Sequence, residues 1–132
     1  MADFEIPKHG EICCRELASR DLPTAFEFYK AMFGWELIQS NVSPVDYKEI
    51  VIGGTAYGGM MAIDESWGPE PPPSFWTNYI AVDNCDEAVE KIKALGGGIT
   101  CEAFDAPGVG RIAMAKDPSG AAFSIIQFNM PG

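Results

Sequence analysis

Cys14 and Glu16 stand two positions apart in Ile12-Cys13-Cys14-Arg15-Glu16-Leu17, a run that reads as a β-strand. Residues two apart on a strand share a face and lie ~6–7 Å from one another, so a thiol and a carboxylate open onto the same space. That pair suits a cationic ligand group, or a general base beside a nucleophile. Each side chain also has a plainer use. Glu16 can pair with Arg15, Arg20 or Arg111, and Cys14 can serve as a small buried hydrophobe, since no histidine lies nearby in sequence to activate it. Arg111 follows Gly108-Val109-Gly110 and can reach an anionic group or close a salt bridge. His9 is the single histidine and sits beside Gly10 ahead of the strand, a setting more typical of a solvated loop.

The elements that must position these groups come as a repeat. Residues 12–35, ICCRELASRDLPTAFEFYKAMFGW, return in variant form as residues 75–97, FWTNYIAVDNCDEAVEKIKALGG. Asp21 and Gly34 bracket the first helix, Asp83 and Gly96 the second, each pair 13 positions apart. The apolar stripes Leu22, Ala25, Phe26, Tyr29, Met32 and Cys85, Ala88, Val89, Ile92, Leu95 share one helical spacing, that of a helix burying one face. Strands are expected near 11–18, 35–39, 47–52 and 56–63, then near 76–82, 99–102, 110–116 and 121–128. Gly58 and Gly59 weaken the fourth strand and mark a bulge or a close approach. Residues 64–74, DESWGPEPPPS, hold four prolines in eleven positions, a connector that cannot join a sheet. Asp117-Pro118-Ser119-Gly120 fills a type I turn.

Each half is therefore βαβββ. The expected fold is α+β: two such modules forming a curved, cup-shaped mixed sheet with helices outside, with a ferredoxin-like split as the competitor. Module one spans about 11–63 and module two about 75–128, in a single domain of 132 residues. Thr77 and Tyr79 share one strand face and are expected to line the cleft with Met60 as an apolar wall, while Trp76 points to the helices.

Bulk composition narrows the classes. A net charge of −10, from 9 basic and 19 acidic residues, argues against nucleic-acid binding, which needs a basic footprint. No apolar run reaches membrane-span length, and the opening MADFEIPKHGE has no signal-peptide core. None of the four cysteines forms a C-x-x-C pair, so reduced thiols in the cytoplasm are expected.

The pieces RDLPTAFEFYKAMFGWEL, YIAVDNCDEAVEKIKALGG and GVGRIAMAKDPSGAAFSIIQ resemble the vicinal oxygen chelate superfamily of glyoxalase I, bleomycin-resistance proteins and extradiol dioxygenases. CREL, FGWE, PGVGR and DPSGAAF look like its glyoxalase-like branch, whose biochemical role is generally unassigned. The resemblance implies a divalent metal held by His and Glu on the first and fourth strands of each half. Carried over, the first ligand falls on Cys14, the third on Thr77 and the fourth on Ser124; the second belongs near Gly59-Met60-Met61, which has no carboxylate. One thiol and two hydroxyls are poor metal ligands, so no metal cofactor is expected. The resemblance then implies a metal-free protein binding a cationic or aromatic small molecule through Cys14, Glu16, Met60, Thr77, Tyr79, Arg111 and Ser124. The alternative is a divergent lyase, isomerase or hydroxylase-like enzyme using Glu16 as general base. A homodimer without nucleic-acid or membrane partners completes the expectation.

Overall fold

The computed structural model describes residues 6–39, 47–106 and 108–128. Strand β1 (Ile12–Ser19) leads to helix α1 (Leu22–Phe33), β2 (Glu36–Gln39), β3 (Tyr47–Ile52) and β4 (Thr55–Ala62). The sequence of elements then restarts with β5 (Phe75–Ala81), α2 (Cys85–Ala94), β6 (Gly98–Ala106), β7 (Gly110–Lys116) and β8 (Ala122–Phe128). The class is α+β, and the two βαβββ modules are present.

The chain divides into two compact units. One is Cys14–Thr77; the other runs from Asn78 onward and takes in the residues up to Cys13. Within the first the strand order is β2-β3-β4-β1, with β1 parallel to β4 and the other neighbours antiparallel. Within the second the order is β5-β8-β7-β6, with β5 parallel to β8. In both modules, then, the strand before the helix pairs with the last strand after it. A ferredoxin-like split would not give that pairing inside one βαβββ unit, and the competitor is set aside.

Local chemistry explains the first helix as expected. The Asp21 carboxylate accepts the Thr24 N–H at 3.2 Å and the Thr24 hydroxyl at 2.8 Å, satisfying donors the helix leaves open. Pro23 lies in the first turn, where its missing N–H costs little. Gly34 closes the helix in the left-handed region at φ 70° and donates to the Lys30 carbonyl. The second helix differs from expectation. Its cap is Asn84, whose side chain accepts the Glu87 N–H at 3.0 Å. Asp83 instead donates its backbone N–H to His9 Nδ1 at 3.0 Å, so the histidine, an exposed loop residue as expected, also holds the loop before the helix.

Each helix packs the earlier members of its apolar stripe and leaves the final one out. Leu17, Leu22, Ile50 and Met60 form one core under α1, and Cys85, Val89, Ala113 and Ile125 form the other under α2. Met32 and Leu95, the final members of the two expected stripes, are instead 64% and 68% exposed. The proline-rich connector contains one 3-10 turn over Glu65–Trp67 and is strapped to Arg20, whose guanidinium donates to the carbonyls of Pro71 and Pro72. Trp76 faces the helix as expected. Its indole N–H donates to the Tyr29 hydroxyl at 3.1 Å, in an aromatic group with Trp35.

Candidate functional site

Strand alternation decides which side chains meet on the unit Cys14–Thr77. Leu17 belongs to the core under α1, so Cys14, Glu16 and Ala18 alternate to the helix-free face. The ladder then carries that face across the sheet. Glu16 pairs with Gly59 on β4, and Gly59 pairs with Glu49 on β3; two residues along, Met61 pairs with Tyr47. One row of the helix-free face therefore reads Glu16, Gly59, Glu49, with no side chain in the middle.

Tyr47 fills that gap. A Cβ built on Gly59 would fall 2.1 Å from both Cζ and the hydroxyl oxygen of Tyr47, so the ring lies directly on the glycine. The neighbouring Gly58 is tighter still. At φ 146° its Cβ would fall 1.7 Å from the Arg15 carbonyl oxygen, the close approach its place in a strand suggests. The Tyr47 hydroxyl donates to the Glu16 carboxylate. Burial pushes the Tyr47 phenol far above the ordinary tyrosine range, and the Glu16 charge and hydrogen bond add to the shift, followed by Cys14 and Glu49. Glu16 is itself buried, at 7% exposure.

The expected site residues sort by face. Cys14 and Glu16 join Tyr47 as a group. Thr77 is buried and alternates with Trp76, which places it on the helix-free side of its unit. Tyr79 and Ser124 are buried in the other unit, facing one another in the β5–β8 register. Met60 requires correction. It pairs with Leu17, points under α1 and is fully buried in the core, so it lines no cleft. Arg111 closes salt bridges: its Nε donates to Asp86 at 3.1 Å and its guanidinium to Asp105 at 3.0 Å. It shares alternation with core residue Ala113, hence its turn toward α2. Tyr47 and Glu49 escaped sequence reasoning. Their strand was legible, but which of its faces carried the site was not.

The metal implied by the resemblance finds a poor donor set. Its carried-over positions hold one thiol and two hydroxyls, the β4 residue opposite Glu16 is a glycine, and Glu16 is engaged by a phenol. Among the described residues, no three of His, Cys, Asp and Glu gather as metal ligands. These residues do not fit a divalent cation.

Comparison with known proteins agrees with the fold. The family described as Glyoxalase/Bleomycin resistance protein/Dioxygenase superfamily matches residues 12–125. The chain is 33% identical over 116 residues to the Mycobacterium tuberculosis "Putative glyoxylase CFP32", covering 86% of this chain and 44% of that one. It is 29% identical over 121 residues to the Streptomyces peucetius "Anthracycline biosynthesis protein DnrV", covering 83% and 44%. The chain thus spans less than half the length of these curated relatives. The crystal structure of methylmalonyl-CoA epimerase from Mycobacterium tuberculosis superposes with a TM-score of 0.57 at 19% identity, covering 88% of this chain and 86% of that one; this likeness speaks to the fold alone.

Proposed function

Because this chain belongs to the glyoxalase/bleomycin resistance protein/dioxygenase superfamily, we propose that it is a small-molecule-binding member that works without the superfamily's metal. The observation that carries this is the buried Glu16 on the helix-free face, held by Tyr47 where a metal-ligating pair would otherwise stand. Charge gives the class of ligand. In the unit Cys14–Thr77, Glu16 and Glu49 face the helix-free side, whereas Lys48 alternates to the helix side and sits over the Phe26 ring. No Lys or Arg of the described strands there shares the face of Glu16, so it favours a cation. An aromatic body on that ligand is in keeping with a relative named for anthracycline biosynthesis.

A catalytic reading also has an observation behind it, since a buried carboxylate is a common general base. Glu16, however, is already engaged by the Tyr47 hydroxyl, a bond it would have to give up or share to take a proton from a substrate. The binding reading is therefore preferred. With it we place the protein in the cytoplasm as a homodimer, apart from nucleic acid and membrane. No helix of the described residues is long and apolar enough to cross a bilayer.

The test is thermal-shift screening with glycopeptides and other cationic drugs. A binder is expected to raise the melting temperature by mass action, and Glu16→Gln is expected to abolish that rise. No hit across a broad library would sink the binding reading. Turnover of the methylglyoxal–glutathione adduct would replace it with the catalytic one, and we expect none. Stoichiometric Zn, Ni, Fe or Mn in untagged protein would refute the metal-free part.

A further inference from the structure

Gly59 and Tyr47 are two halves of one arrangement. The glycine is required because the ring lies on it, and the ring fits because the glycine leaves the space. Three observations converge on this spot independently. The register puts Gly59 directly between Glu16 and Glu49. The geometry leaves no room for any β4 side chain there, with Tyr47 Cζ and its hydroxyl oxygen both 2.1 Å from the site of a Cβ. The hydroxyl then ends on a carboxylate that is 7% exposed. A polar group thus reaches Glu16 from β3, across a strand whose own residue at that position contributes nothing.

We propose that Tyr47 is the positioning residue of this site: seated on Gly59, it donates its hydroxyl to Glu16 and so fixes where that carboxylate is presented to a ligand. The phenol occupies the place from which a β4 side chain would reach Glu16, which makes the site a phenol–carboxylate pair rather than a cage for an ion. The ring closes one side of Glu16 to a guest, which constrains the guest's orientation. What the presented carboxylate is for rests on the binding reading; the pairing itself is measurable with no ligand at all.

The experiment follows Tyr47 by NMR in protein labelled at tyrosine ¹³Cζ, with the resonance assigned by Tyr47→Phe. In the native protein the Tyr47 signal is expected to remain in its protonated position well beyond the ordinary tyrosine midpoint near 10. Glu16→Gln removes the charge and is expected to move the Tyr47 titration to lower pH. Gly59→Ala leaves both partners in place but lifts the ring from its seat, and is expected to move it the same way. Tyr47→Phe, which loses only an oxygen, is expected to shift the Glu16 carboxyl titration to higher pH, followed at glutamate ¹³Cδ. A merely structural tyrosine would leave both titrations unmoved. If Tyr47 titrates identically in the native protein and in Glu16→Gln, or Glu16 identically with and without the Tyr47 hydroxyl, the proposal is overturned whatever any ligand screen returns. A failed screen with both shifts intact would instead sink only the binding reading.

Discussion

At Gly58 and Gly59 a single added methyl group meets two different obstacles, and the difference is predictive. At Gly58 the obstacle is the Arg15 backbone and the backbone is at φ 146°, so nothing nearby can yield cheaply. At Gly59 the obstacle is the Tyr47 ring, which can rotate at the cost of its bond to Glu16. Gly59→Ala is expected to cost about 1–3 kcal/mol, the usual range for overpacking, and Gly58→Ala more. Combining Gly59→Ala with Tyr47→Ala should cost clearly less than the two single changes added together, because the ring is the clash. Urea unfolding of the four proteins measures this, and strict additivity would show that the ring is not seated on the glycine. Tyr47 also makes stability depend on alkaline pH. An unfolded tyrosine ionises near 10, whereas the folded phenol holds its proton well beyond that. In between, the native state binds more protons than the unfolded one, so stability falls as pH rises. Unfolding free energy is expected to decline above about pH 10, and this part of the decline should be missing in Tyr47→Phe. These contacts were half legible beforehand. Two glycines in one strand announce a close approach, but nothing in their spacing tells which of the two would lie under a ring and which against a carbonyl.

The helices show where reading the sequence fails at the level of an element and why. Asp83 and Asn84 are adjacent, both are good N-caps, and the repeat with Asp21 favours Asp83. The structure chooses Asn84, because Asp83 is drawn into the loop by His9. A residue 74 positions away decides it, and no local pattern carries that information. The choice has an energetic consequence. Asn84→Ala is expected to cost about 1 kcal/mol, a typical cap loss, while Asp83→Ala at an exposed position should stay within about 0.5 kcal/mol. Denaturant midpoints decide between them, and the reverse order would restore Asp83 as the cap. The stripes fail in a more regular way. Met32 and Leu95 are both exposed although they continue the periodicity of buried residues. Periodicity fixes which face a helix would bury, but the packing partners on the sheet end before the stripe does, and only the tertiary structure shows where.

At the scale of the chain, the duplication was the most readable feature, because thirteen-residue intervals and matched stripes are properties of composition and order alone. Strand order follows from it: two copies of one motif give two copies of one pairing scheme, with β1 on β4 and β5 on β8. Charge is readable at the same scale and acts there rather than at any one contact. Nineteen acidic against nine basic residues leave the molecule at −10, and such an excess repels itself in the compact state. Local ion pairs oppose this, among them Arg111 with Asp86 and Asp105, and Lys93 with Glu90. Salt separates the two. Raising NaCl from about 20 mM to about 500 mM shortens the Debye length from roughly 20 Å to roughly 4 Å. Screening at that range removes repulsion spread over the surface, while exposed pairs contribute little to begin with. The melting temperature is therefore expected to rise by a few degrees across that range in scanning calorimetry. A fall would mean that the pairs outweigh the excess, and that the acidic composition is not what limits the stability of this chain.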